Sequence, residues 1–359
     1  RVKLRDQDPA LHDAVDTAVQ SFQGKRTATE VVLDDLLRRT IGKIPVVKDW
    51  MNPIRPTAGL LGGAREVAFH LKIAGPFNWA FYPVQHAQFW THAAPIVGPE
   101  YAARGVAALF SPTPEQARFL RRVDHAKLLE PQFVHGELHG STNRVERLKD
   151  LSGVFANYGE RHNRLMTAAA VYDRLMDLEP GTPDRLLRFA YDGDARKVRA
   201  FDKADMQQVL DVVRRVNDKT HFRYDVTDRP AFMQGPVART LLQFKQYTTH
   251  TWDLWRRYID LLADGQTTDN ASPFLVSLAT TLALGGVSSV LGAGAIDEVV
   301  RYATDDRVRP LDWLFERMPP EVYAGAPALV GVDVSRRVGM GDFVPHRLRD
   351  LVPVTVGIA

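Results

Sequence analysis

Eleven histidines and no cysteine bound the chemistry open to this 359-residue chain. Without thiols there is no disulfide framework, no thiolate nucleophile and no Cys-bearing zinc site. The tightest histidine grouping is His135-Gly-Glu137-Leu-His139. A zincin helix needs two histidines four apart with the glutamate directly after the first, so that both imidazoles share a face. Here Glu137 follows His135 by two, Gly136 and Gly140 oppose a firm helix, and no third ligand is evident. The segment reads as a loop carrying surface histidines.

A second dense group is Glu160-Arg161-His162-Asn163-Arg164. As chemistry, Glu160 and His162 would form an acid/base pair. Two residues apart on a helix, they do not share a face. The favoured reading is buried hydrogen bonds that tie helices together. The glycine pairs Gly62-Gly63 and Gly285-Gly286 lack a following Lys-Ser/Thr, so phosphate binding has no support. Phe244, Lys245 and Tyr247 interleave aromatic and basic groups as nucleic-acid readers do. A single copy of that pattern is more simply an amphipathic helix. The sequence therefore assigns no catalytic, cofactor-binding or metal-binding residue, implies no cofactor, and is read as a non-enzyme.

The elements that position these groups are helices. Periodic apolar residues and capping signals predict helices over 8–23, 27–41, 58–74, 111–129, 143–178, 184–191, 204–217 and 236–263. Thr27 and Glu30 form a capping-box pattern, and Thr113-Pro114 is a second helix start. Over 143–178 the residues Val145, Leu148, Leu151, Phe155, Tyr158, Leu165, Ala169, Tyr172 and Met176 fall on one stripe. No alternating pattern is long enough to build a sheet. The expected class is all-α, a multi-helix bundle with long amphipathic helices and irregular Pro/Gly-rich connections. Four units are expected: 1–56, 57–269, 270–303 and 304–359.

Hydrophobic residues make up 45% of the chain, enough for a sizeable core. The net charge is +3, from 46 basic and 43 acidic residues, too balanced to argue for nucleic acid. The opening RVKLRDQDPALHDAV is charged and has no apolar core, so it does not read as a signal peptide. It reads as the inside of a longer polypeptide.

Two stretches lack charge. Ile73 to Pro99 is aromatic and broken by Pro76, Pro83 and Pro95. It reads as a buried connection or interface patch, with a membrane-interface element as the sharper alternative. Asn270 to Ile296 is 27 residues without a charge. Its length permits a bilayer span. Its glycines and acidic flanks favour a helix or helix pair buried in the bundle as a central partner, with a kink or hairpin at Gly285-Gly286.

Three stretches together carry a family resemblance. They are Glu160 to Arg164; Phe222-Arg-Tyr224 through Asp228-Arg-Pro230 to Gln243-Phe-Lys-Gln-Tyr247; and Gly331-Val-Asp-Val-Ser335 through Gly339-Met-Gly341-Asp342 to Pro345. In this order they resemble the C-terminal regions of very large bacteriophage internal virion proteins, the "large polyvalent protein" group. The resemblance covers roughly residues 60–345. It implies a structural protein packaged in the virion interior, ejected with the genome, and helping form a conduit across the host envelope. Implied partners are further copies of the chain, portal or inner-core proteins, the host inner membrane and double-stranded DNA. Two alternatives are a non-catalytic accessory domain of a large virion enzyme and a DNA-packaging, nucleic-acid-binding virion protein.

Overall fold

A computed structural model describes residues 28–40, 86–129, 144–179, 181–182, 184–222, 246–263, 272–289, 300, 304, 307 and 310–330. Helices account for 80% of what is described and no strand occurs there, so the class is all-α. In chain order the helices are α1 (Ala28–Thr40), a π-helical turn (Phe89–Ala93), α2 (Ala94–Val97), α3 (Pro99–Phe110), α4 (Pro114–His125), α5 (Arg144–Asp177), α6 (Arg185–Ala190), α7 (Ala195–Arg199), α8 (Met206–Thr220), α9 (Gln246–Ala263), α10 (Pro273–Gly285), α11 (Pro310–Arg317) and α12 (Pro320–Tyr323). Short 3-10 turns follow α10 and α12. The helices expected over 8–23 and 58–74 lie outside the described residues.

The helix starts follow from local chemistry. Thr113 Oγ1 accepts from the Gln116 amide, and Gln116 reaches back to the Thr113 amide, closing the capping box in front of α4. Asp184, Asp194 and Asp205 cap α6, α7 and α8 in turn, each accepting first-turn amide protons that have no partner inside the helix.

The centre is the C-terminal half of α5. Met166, Thr167, Ala168, Ala169, Ala170 and Val171 are six consecutive buried residues, so here the helix is enclosed on every side. The single stripe expected along this helix is therefore corrected: it widens to the full circumference after Leu165, while Tyr158, expected on the stripe, is 57% exposed. Three alanines in a row make that enclosure possible, because neighbours can approach close to the backbone. At the crossing with α3, a Cβ on Gly105 would come within 2.4 Å of the Met166 carbonyl oxygen. α4, α8, α2 and the π turn pack around the rest of α5.

A buried ion pair fixes the far end of α5. Arg174 donates from Nη2 to Asp184 Oδ2 at 2.5 Å and from Nη1 to the Val97 carbonyl at 2.8 Å. Asp184 Oδ1 also takes the Leu186 amide at 2.7 Å. One pair thus joins α5, α2 and α6.

Of the uncharged stretch, residues 272–289 are described, and they pack against the π turn, α2 and α9. α10 spans 13 residues and ends where Gly286 adopts φ 66°, the break expected at this glycine pair. Its small and hydroxyl residues face inward: Ser277, Thr281 and Gly285 are buried, whereas Leu275 and Leu282 are exposed. Among the described residues no helix is long and apolar enough to cross a membrane. In α1, Asp34 is buried and Val31, Val32 and Leu36 are exposed.

Candidate functional site

The densest buried polar chemistry lies where the π turn meets α5, α8, α9 and α10. It begins with Pro95. Proline has no amide proton, and its ring crowds the carbonyl four residues back. The chain just before it widens into the π turn, and the Thr91 carbonyl is left without its usual helical donor. Ser277 Oγ of α10 donates to that carbonyl at 2.6 Å. Ser277 Oγ in turn accepts from Trp255 Nε1 of α9 at 2.9 Å. The next carbonyl, of His92, accepts from the Tyr258 hydroxyl of α9. The stretch 86–98 is accordingly a buried connection, as Pro95 and its apolar residues suggest, with Trp90 its main exposed side chain, and residues 73–85 lie outside the described residues.

Two histidines sit inside this joint, each 1% exposed. His92 Nε2 lies 3.2 Å from Thr251 Oγ1 of α9. His221, at the end of α8, places Nε2 2.7 Å from Thr167 Oγ1 of α5. Its carbonyl accepts a hydrogen bond from Arg164 Nη2 at 3.4 Å. Phe222 follows His221 directly in sequence. It meets the His92 ring edge-on at 5.2 Å and stacks on His250 at 5.1 Å. Phe222 has φ 31°, a backbone setting unfavourable for a bulky residue and one that the surrounding packing must hold. Gln88 Nε2 donates to the Thr220 carbonyl at 3.3 Å, closing the seam between the turn and α8.

Burial drives every imidazole here towards the neutral form. It depresses His92 to about 3. His221 is held well below the usual histidine range by burial and then by the Arg164 charge. His250 is lowered by burial, against a smaller opposing effect of Asp253. At the near end of α5, His86 and His162 stack at 5.9 Å, and both are lowered chiefly by burial. His86 Nδ1 also contacts Asn163 Oδ1 at 3.2 Å.

The sequence motif Glu160 to Arg164 lands in this centre. Glu160, Asn163 and Arg164 are buried, and Arg164 Nε donates to Glu160 Oε1 at 3.0 Å. His162 points elsewhere, against His86 and Tyr158. The motif therefore does what its helical spacing favoured: through Arg164 it ties α5 to the end of α8. Gly285-Gly286 ends a helix. A Cβ on Gly286 would meet the Tyr323 carbonyl oxygen at 2.2 Å, and one on Gly325 would meet that of Leu284 at 2.4 Å, so the pair serves backbone contact. Gly62-Gly63, His135, Glu137, His139, Phe244, Lys245 and the third motif lie outside the described residues. Among the described residues no three His, Asp or Glu groups converge as metal ligands.

His92, His221, Thr167, Thr251 and Ser277 were not legible as a group. The one local signal was Pro95, whose place four residues after Thr91 marks a carbonyl in need of an outside donor. A shallow cleft between Leu178, Phe201 and Lys203 offers less, because Lys203 Nζ is engaged by the Met176 and Leu178 carbonyls at 2.8 and 2.6 Å. The side chains of the histidine joint are buried, and their hydrogen bonds link the π turn, α5, α8, α9 and α10. Comparison with family models, curated proteins and solved structures finds no match.

Proposed function

We propose that this chain is a structural internal virion protein of a phage, packaged inside the capsid, ejected with the genome and contributing to a conduit across the host envelope. The observation that carries the reading is the order of three motifs: Glu160 to Arg164, then Phe222 to Tyr247, then Gly331 to Pro345. Two features of the fold accord with it. Glu160 and Arg164 are buried packing residues, a role that suits a motif shared among structural proteins. The apolar side chains exposed on α1 and α10 suit contacts with other copies or other virion proteins. The uncharged stretch 270–296 is the part of the chain proposed to meet a membrane.

Localisation tests this reading. Mass spectrometry of purified particles is expected to find the chain in DNA-filled virions, to lose it from emptied ones, and to recover it in the host envelope fraction. Its absence from filled particles removes the proposal. The purified chain is further expected to partition into liposomes. Purely aqueous behaviour with 270–296 protected from protease removes the membrane part alone.

A further inference from the structure

We propose that Asn217 and His221, on the last turn of α8, hold an internal water inside the bundle and so form a built solvent site. The inference rests on the packing of α8 and does not depend on the proposed function.

The buried face of α8 is Val209, Val212, Val213, Val216, Asn217 and Thr220. Two of the six are polar, and they differ in their bonding. Thr220 Oγ1 donates to the Val216 carbonyl at 2.8 Å, which satisfies it within its own helix. Asn217 is 1% exposed, yet among the described residues neither its Oδ1 nor its Nδ2 has a hydrogen-bond partner. One turn further on, the His221 amide donates to the Asn217 carbonyl at 2.8 Å, so the two residues follow one another along the helix. The His221 ring is equally buried. Its Nε2 meets Thr167 Oγ1 at 2.7 Å, and its Nδ1 has no partner. Three polar atoms on successive turns of one helix thus face the interior unpaired.

A buried amide without hydrogen bonds costs the whole of its lost hydration, whereas a bridging water restores most of it for a small loss of entropy. Exchanging the oxygen and nitrogen of Asn217 repairs nothing, because both are unpaired. Turning the His221 ring over would spend the Thr167 contact to satisfy the other nitrogen.

The chemistry of the spot selects a neutral ligand that both donates and accepts. Asn217 offers one acceptor oxygen and an NH₂ donor. If His221 Nε2–H donates to Thr167, Nδ1 is an acceptor, and in the other tautomer Nδ1–H is a donor. Water serves either tautomer. The Arg164 guanidinium, which donates to the His221 carbonyl at 3.4 Å, disfavours a metal cation. Glu160 and Asp218, at 3.0 and 3.8 Å from that guanidinium, disfavour an anion. Internal waters make about three hydrogen bonds, and the amide and imidazole supply the polar partners such a site requires.

The test is water-to-protein magnetisation transfer by NMR on the full-length, nitrogen-15-labelled chain. The expected result is a direct dipolar cross-peak from solvent to the Asn217 side-chain amide protons, opposite in sign to chemical exchange. An assigned Asn217 amide without that cross-peak overturns the proposal. A crystal structure gives a second reading. Solvent density within about 3.2 Å of both the Asn217 amide and His221 Nδ1 supports the site. Dry packing there, or a protein group bonded to the amide, overturns it. Asn217→Leu separates the two cases by stability. With a water site the change strands His221 Nδ1 and lowers the urea midpoint. With a dry, unpaired amide it removes a burden and leaves the midpoint equal or raised, which overturns the proposal. Should that variant not fold, the wild-type NMR measurement decides.

Discussion

Ser277 Oγ donates to the carbonyl of Thr91 at 2.6 Å across 186 positions of sequence. This bond exists because Pro95 withdraws the local donor, and it explains why α10 packs with hydroxyls inward and leucines outward. Ser277→Ala strands both the Thr91 carbonyl and the Trp255 indole N–H. The expected loss is about 1–3 kcal/mol, as for buried polar groups left unpaired. Urea denaturation checks it: the midpoint falls at unchanged slope. Ser277→Thr keeps the hydroxyl and is expected to retain most of the stability.

The close crossing of α3 and α5 makes a second prediction. Gly105 would place a Cβ 2.4 Å from Met166 O and 2.9 Å from Ala170 Cβ. Gly105→Val must push the helices apart, with an expected cost of about 1–3 kcal/mol or more. Ala103→Val, on the exposed face of the same helix, is expected to stay within about 0.5 kcal/mol of the parent. Thermal unfolding of the two variants side by side separates steric overlap from any general effect of a β-branched residue in α3.

The Arg174–Asp184 pair is expected to be strongly non-additive. Asp184→Ala leaves a buried guanidinium without its carboxylate and should cost about 3–5 kcal/mol. Replacing both, as Arg174→Met with Asp184→Leu, removes the stranded charge and should cost less than the sum of the single changes. A double-mutant cycle in denaturant measures the coupling. Additive single costs would mean that the pair does not act as a unit.

The sign of the pH dependence follows from His92. Its folded-state value, about 3, lies below the ordinary 6.5. Above 6.5 neither state is charged and the group contributes nothing. Below it the unfolded chain binds a proton that the folded chain refuses, so stability falls as pH falls, by about 1.4 kcal/mol per unit until the folded value is reached. The urea midpoint is therefore expected to be lower at about pH 5.5 than at about pH 7.5, and His92→Gln should flatten that difference. An unchanged midpoint over this range would contradict the buried neutral assignment.

Much of the architecture is legible in local signals. Thr113, Pro114 and Gln116 place the start of α4 without reference to anything distant, because capping satisfies amides within one turn. The 3.6-residue periodicity that predicts a helix over 143–178 is realised as Arg144–Asp177. The absence of alternating patterns accords with a described structure without strands. Even the break at Gly286 is local, since a left-handed turn favours glycine.

What the sequence by itself determined is therefore the all-α class, the start of α4, the extent of α5 and the reading of Glu160 to Arg164 as a packing motif, whereas α3 (Pro99–Phe110) was not among the expected helices. Only the tertiary structure decided that the enclosed element is the alanine-rich waist of α5, because close approach depends on side-chain size as well as on hydrophobicity. The histidine joint is also a tertiary fact. His92, Thr167, His221, Thr251 and Ser277 come from five separate elements, and no short-range pattern reports that His92 meets Thr251, that His221 meets Thr167, or that Ser277 serves the Thr91 carbonyl left without a donor by Pro95.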